Sequence, residues 1–359
     1  MKKNIRFPRD ATTFSRELRK KVNTYFKERN LAKTGNKELF VKAGFFLSIF
    51  FGVVALIYLS NPHFLILYGA YLFLGFAMAG IGMNVMHDAN HGSFSSQKWV
   101  NRIMGASIYI LAGNVYNWIV QHNQLHHTFT NIEGHDEDIE AGRFIRFSKH
   151  ADYLWYHRFQ HWYAPVLYSL LTLNWVITTD FTQTGRFLKD NRINSHMPKP
   201  FWAWTIVIVS KLVLIAFWFV LPVLLGLPLI HVVFGFICMH LVAGSILSHI
   251  FQLAHVNQDA QVLTEEEVSD PLLVHQLETT ANFGTQSRFL KWYTGGLTHQ
   301  VEHHLFPNIS HVHYPKIAHI VSSLARRFNI PYYETVSFWK AVKEHYAHIK
   351  FLSRKPVLS

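Results

Sequence analysis

Cysteine is almost missing from this sequence: one in 359 residues, Cys238, set inside an apolar run. A single thiol excludes an intramolecular disulfide and a thiolate metal cage, so any soft metal ligands must be histidines. Charge is scarce as well, at 16% of residues against roughly 25% in an ordinary soluble domain. Acidic residues are the scarcer sign, 22 against 34 Lys and Arg, for a formal net charge of +12. Half of the residues are hydrophobic and 15% aromatic, which favours a membrane class over the two or three soluble domains that the length alone would allow. The basic excess does not point to nucleic acid, because it flanks long apolar runs and so fits anchoring to anionic lipid. Met1 to Tyr25 is basic and polar and lacks an apolar h-region. No cleavable secretory signal is expected there, and this end is expected to stay in the cytosol. There is no repeat or low-complexity tract.

Four stretches approach the roughly 20 apolar residues needed to cross a bilayer core: 43–60, 64–86, 203–221 and 229–249. They pair as two hairpins. The first pair is joined by Asn61, Pro62 and His63, the second by residues 222–228, and neither turn carries Lys or Arg. Positive charge gathers instead in the head (Lys2, Lys3, Arg6, Arg9, Arg16, Arg19, Lys20, Lys21), the middle section and the C-terminal third. The positive-inside bias therefore places both turns outside and everything else in the cytoplasm. The chain divides into a basic cytosolic head over 1–42 and a membrane domain over 43–359. Residues 103–120 and 163–177 are apolar but interrupted by polar groups, and read as re-entrant or interface-lying helices. Lys211 falls mid-span, where a lone charge costs about 2.5 to 3.5 kcal/mol. It is expected to face the bundle interior or to snorkel, with substrate or headgroup contact as the alternative.

The 24 histidines are unevenly placed. His87 and His91 follow the second span, four residues apart and so on one helical face. His122, His126 and His127 form a second box in which His127 is turned by about 100° from its neighbour, so one short helix can feed two adjacent metals. His299, His303 and His304 repeat that spacing 177 residues later. Beyond the fourth span comes His255. An internal control is at hand: His157 and His161 also lie four apart, but among Trp155, Tyr156, Trp162 and Tyr163, an interfacial aromatic belt. The boxes differ because each follows a span or interface segment, two contain adjacent histidines, and all fall on one side.

Eight or nine imidazoles exceed the four ligands of a closed structural zinc site, which implies two metals. Imidazole suits Zn, Cu, Fe or Ni. A site at the membrane surface beside apolar spans fits a substrate with a long hydrocarbon chain, and activating its C–H bonds calls for a redox metal with dioxygen. Iron is the preferred reading. Asp88, Asp136, Asp138 and Glu302 are acidic neighbours that could fix imidazole tautomers through the non-ligating N–H, or could be solvated carboxylates. His311 and His313 read as groups supporting the ligands or as surface residues. His249, about 240° round a helix from His255, reads as structural.

The boxes resemble those of membrane fatty-acid desaturases, written HxxxH, HxxxHH and QxxHH, over about residues 45–328. The surroundings of the boxes, Asn84-Val-Met-His-Asp-Ala-Asn-His-Gly-Ser, the run from His126 to Asp138 and that from Gly295 to Pro307, look especially like bacterial acyl desaturases. The resemblance implies an all-α integral membrane fold: four transmembrane helices in two hairpins, with a cytoplasmic helical cap holding a di-iron site. The implied metal ligands are His87, His91, His122, His126, His127, His255, His303 and His304. Gln300 stands where front-end desaturases carry glutamine, which implies a Δ6- or Δ5-like enzyme. His299 remains open as the competing ligand, since it would share His303's face on a helix. The implied reaction is O2-dependent insertion of a cis double bond into an acyl chain carried by coenzyme A, acyl carrier protein or a lipid. Many front-end relatives carry a fused cytochrome b5 domain with a His-Pro-Gly-Gly motif, which is not present here. Electrons are therefore expected from a separate carrier such as ferredoxin or free cytochrome b5. The expected location is a bacterial cytoplasmic membrane, with the site facing the cytoplasm.

Two rivals remain at this level. A hydroxylase would use the same irons but leave oxygen on the chain. A metal transporter would need ligands near the bilayer midplane on broken helices, where the sequence offers only His231 and His240.

Overall fold

The computed structural model describes residues 5–10, 13–60, 62–140, 142–191 and 193–355. Lys2 and Lys3 of the basic head and Asn61 of the first turn lie outside these described residues. The fold is mostly helical. In chain order, α1 (Phe14–Glu28) precedes α2 (Lys37–Ser60) and α3 (Phe64–Asn90), then a bent pair, α4 (Lys98–Leu111) and α5 (Val115–Phe129). The middle section holds α6 (Gln160–Ser169) and α7 (Asp180–Lys189), followed by α8 (Pro200–Leu224) and α9 (Leu229–His255).

Helices α2, α3, α8 and α9 are long and apolar enough to cross a membrane. At 24 to 27 residues and 1.5 Å per residue, each exceeds a hydrocarbon core of about 30 Å. They extend beyond the apolar runs, α3 reaching Asn90 and α9 reaching His255. Backbone hydrogen bonding continues past the point where side chains turn polar, and so His87 and His255 ride on the ends of α3 and α9. The hairpins join across α3 and α9, which approach closely at two glycines. A Cβ on Gly75 would stand 2.5 Å from the Met239 carbonyl, and one on Gly235 would collide with the Tyr71 ring.

Helices α4 and α5 meet at 102°, turning through Ala112 at φ 64°, so the interrupted apolar run is sharply bent. Lys211 holds the tip. Its Nζ donates to the carbonyls of Ala112 at 2.5 Å and Trp175 at 2.9 Å, and pairs with Asp180 Oδ2 at 2.5 Å. The mid-span charge therefore faces inward, and it caps irregular backbone that has no water to turn to.

The remaining elements cover the polar end of the spans: α10 (Leu272–Glu278), β1 (Ala281–Phe283), α11 (Arg288–Tyr293), α12 (Gln300–Leu305), α13 (Tyr314–Arg327), β2 (Tyr333–Thr335) and α14 (Phe338–Leu352). The two short strands pair in parallel, Ala281 opposite Tyr333, a small addition to the all-α expectation. Helix α1 buries Phe14, Leu18, Val22 and Phe26 against Val301, Ile317, Val321 and Leu324 of this layer. Gly295 and Gly296 both take positive φ. A side chain on Gly295 would meet the Met83 carbonyl, so the paired glycines let the backbone leading to α12 press directly onto α3.

Candidate metal centre

The three boxes and His255 converge on one buried spot. The Nε2 atom of His122 lies 3.3 Å from that of His87 and 3.3 Å from that of His127. His127 Nε2 is 2.9 Å from His303 Nε2, and His126 Nε2 is 3.2 Å from His304 Nε2. The His91 ring centroid stands 4.7 Å from His87, and the His255 centroid 4.7 Å from His126. All eight proposed ligands are thus brought together. They sort into a group of His87, His91, His122 and His303 and a group of His126, His255 and His304, with His127 reaching His303 and His304 between them.

Helix geometry explains the convergence better than simple α spacing. Residues Ile119–His126 form a π-helix, and a second π-turn, Gly82–Met86, precedes His87. The wider i→i+5 turn brings His127 as well as His126 beside His122, with ring centroids 4.7 and 5.3 Å away. Trp118 closes the adjoining side, stacking on the His122 ring at 4.5 Å.

The outward nitrogens of four ligand candidates are held, whereas Nδ1 of His87 and of His127 is buried without a hydrogen-bond partner. Both oxygens of Asp136 accept from His126 Nδ1 at 3.0 Å, and the Asn131 backbone N–H fixes Asp136 at 2.8 Å. His304 Nδ1 donates to Gln276 Oε1 at 2.9 Å, His303 Nδ1 meets the Tyr314 hydroxyl at 3.2 Å, and His255 Nδ1 donates to the Thr279 carbonyl at 3.4 Å. Holding Nδ1 leaves Nε2 free to face inward, the usual arrangement of metal-ligating histidines. Burial, reinforced by neighbouring imidazoles, pushes His303 and His304 well below the ordinary histidine pKa. These rings are free bases at neutral pH, the form that binds metal.

Two nitrogens bound to one ion at about 2.1 Å stand roughly 3 to 4 Å apart, so the Nε2 spacings fit metal ligation. The Nε2 atoms of His91 and His255 are buried with no hydrogen-bond partner, as expected where a further group belongs. The donor set therefore fits two metal ions.

Other expectations divide. Asp88 Oδ2 accepts from His311 Nδ1 at 3.0 Å and from the Ser310 hydroxyl at 2.7 Å, and lies beside His87. His311 in turn meets Lys42 Nζ at 2.9 Å, so His311 is a buried supporting group rather than a surface residue. His313 is also buried, against the Phe26 ring at 5.0 Å. Asp138 lies 3.4 Å from His126 Nδ1 and 3.8 Å from His122 Nδ1. Glu302 does not fix an imidazole. Its carboxylate accepts from Asn282 Nδ2 at 2.9 Å and from the Tyr332 hydroxyl at 3.0 Å, tying α12 to the strand pair, and burial raises its pKa to about 7. His299 caps α12 in a non-helical conformation, φ −108° and ψ 60°. That breaks the shared face with His303 which helical spacing assumed, and its Nδ1 meets Thr298 Oγ1. Gln300 lies one turn before His304, buried, with both amide atoms unpartnered.

His157 binds the Arg143 carbonyl and His249 the Tyr346 hydroxyl, both apart from the cluster. Inside the spans, His231 meets Tyr68 and His240 meets Thr172. Among the described residues every metal-capable group draws on the boxes, His255 and Asp138, so no midplane transport site accompanies these two imidazoles. Sequence reasoning missed Trp118, Gln276, Thr279 and Tyr314, because single supporting residues outside the histidine pattern carry no spacing signal, even Trp118 one turn before His122.

The family model for fatty acid desaturases matches residues 62–336. The chain is similar to the sn-1 linoleoyl-lipid 6-desaturase of Arthrospira platensis, 31% identical over 96% of this chain and 93% of that one. The corresponding enzyme of Synechocystis sp. is 30% identical over 95% and 96%. The acyl-lipid (8-3)-desaturase of Physcomitrium patens is 32% identical over 93% of this chain and 70% of its own. With the family match taking in three of the four spans and all three boxes, this chain belongs to the fatty acid desaturase family, as an oxidoreductase that desaturates acyl chains.

Proposed function

We propose that this enzyme is a front-end acyl-lipid desaturase that uses two irons, O2 and electrons from a separate carrier, with its site on the cytoplasmic face of the membrane. The observation that carries the proposal is the register of α12. Gln300 lies on the face of His304 with an unpartnered buried amide, while His299 is the non-helical cap and its Nδ1 is engaged by Thr298 Oγ1. Gln300 would then complete the group of His126, His255 and His304, and the other iron would sit among His87, His91, His122 and His303, with His127 between. The lipid-linked substrate follows the named substrates of the relatives from Arthrospira platensis and Synechocystis sp.. Basic head and membrane domain, 1–42 and 43–359, would work as one unit.

When bound, the irons would supply the redox power that breaks unactivated C–H bonds. Overall, –CH2–CH2– with O2, two electrons and two protons gives –CH=CH– and two waters. The chain's own residues do the positioning. Asp136, Gln276 and Tyr314 hold the Nδ1 sides of three ligands, and Trp118 shields His122 from solvent.

Expression in a host that lacks polyunsaturated lipids and is fed linoleate tests this reading. The expected product is a glycerolipid whose new cis double bond lies between the existing ones and the carboxyl end, with two irons per purified chain. A new bond on the methyl side would reject the front-end assignment. Label from 18O2 retained in the acyl chain would make the enzyme a hydroxylase instead.

A further inference from the structure

We propose that the outward face of α1 and α13 is the docking surface for an acidic one-electron carrier protein. The inference rests on the desaturase reading above, because that reaction consumes two electrons per double bond.

The two helices together present eight exposed basic residues: Arg16, Arg19, Lys20, Lys21 and Lys27 from α1, and Lys316, Arg326 and Arg327 from α13. Only two acids accompany them, Glu17 and Glu28, and Glu17 is paired with Arg327 at 2.8 Å. The surplus of six positive charges is half of the formal net charge of the whole chain, gathered on two helices. Along α1, bordered by Ile320 of α13, lies an open groove of about 880 Å³ lined by Arg16, Lys20, Lys21 and Arg29 together with both acids, Glu17 and Glu28. A net positive field over a concave surface attracts and orients an oppositely charged partner.

Membrane lipid is the competing occupant, and the packing of α1 argues against it. A helix lying in the bilayer interface sinks its apolar face into the acyl boundary. Here that face is already spent: Phe14, Leu18, Val22 and Phe26 are at most 4% exposed and belong to a cluster with α10, α12 and α13. Among the described residues, that cluster includes none from the four spans. What α1 offers outward is charge with little apolar surface. Redox encounters suit this, being small and transient and guided more by charge than by apolar anchors.

The same layer leads to the metal centre. Helix α13 begins at Tyr314, whose hydroxyl lies 3.2 Å from His303 Nδ1, and Phe26 of α1 packs edge-on against His313. One helix thus bears basic groups on its outside and touches a metal-ligand candidate at its start. A carrier seated in the groove would deliver electrons across this single packed layer.

The test uses the full chain in zwitterionic nanodiscs, with product formation driven by reduced plant-type ferredoxin, by a soluble cytochrome b5 domain, or by dithionite with methyl viologen. The K20E/K21E variant should raise the KM for an acidic carrier at least tenfold at low salt. The difference should shrink at 0.5 M salt, where screening is nearly complete beyond about 3 to 4 Å. Viologen-driven turnover should stay within twofold, and K189E/K199E, the same change of charge on exposed residues elsewhere, should alter neither. An unchanged carrier KM in K20E/K21E overturns the proposal, as does equal loss with viologen. An effect that appears only when anionic lipid is added assigns the surface to the membrane and also overturns it. Wild-type turnover with viologen but with neither protein carrier rejects the acidic partner. No product from any donor removes the desaturase reading, and the docking surface with it.

Discussion

At the scale of single residues, the third box shows how a short-range conformation decides ligand choice. His299 and Gln300 are adjacent, yet one is the non-helical cap of α12 and the other its first helical residue. Gln300→Ala is expected to lower turnover at least a hundredfold and to reduce bound iron, with the protein still inserted. His299→Ala is expected to stay within about twofold of wild type. Iron content by mass spectrometry and turnover on one preparation check both, and the reverse ranking would return His299 to the ligand set. The burial of His299 and Gln300 is similar, so composition and burial alone could not have separated them. Only the backbone angle at the cap does, and a pattern of letters does not contain it. By contrast, His126 and His304 were legible from adjacency alone, since a doubled histidine after an apolar segment has few structural uses.

At the scale of elements, the apolar runs made the four spans legible because bilayer thickness imposes a length that few other structures need. Their polar ends were less so: α3 and α9 carry on until they reach His91 and end on His255. The π-turns were not legible, since hydrophobic period does not report one extra residue in a single turn. Nor was the partner of Lys211. The bend between α4 and α5 is fastened to α8 by Lys211, and Asp180 of α7 completes the arrangement by also accepting from the Asn114 backbone N–H. Removing one member of a buried pair strands the other charge, at a cost of about 3 to 5 kcal/mol. Lys211→Met should therefore lower Tm markedly in detergent, whereas Lys211→Met with Asp180→Leu should recover much of the loss. If the double variant is no more stable than the single, the pair is not the fastening proposed here.

At the scale of the whole molecule, the C-terminal helix closes the structure over the polar ends of the spans. Its His345 is buried, with Nδ1 donating to the Val256 carbonyl at 2.7 Å and Nε2 accepting from the Tyr168 hydroxyl at 3.0 Å. Burial pushes its pKa down to about 4 from an ordinary 6.5. The folded protein thus refuses a proton that the unfolded chain takes up. This stabilisation is complete above pH 6.5 and is lost as pH falls through that value toward 4, by up to about 3 kcal/mol. His345→Gln should flatten the decline of Tm over this window relative to wild type, and parallel curves would remove His345 from the account. The close crossing of α3 and α9 at Gly75 and Gly235 has a consequence of leverage. His87 lies 12 residues beyond Gly75 and His255 lies 20 beyond Gly235, arms of roughly 18 and 30 Å. A tilt of about 5° at this fulcrum swings each arm's tip by roughly 1.5 to 2.5 Å, comparable with a metal–nitrogen bond. The size of two hydrogen atoms within the spans therefore helps to set how far apart the histidines at the ends of α3 and α9 can stand.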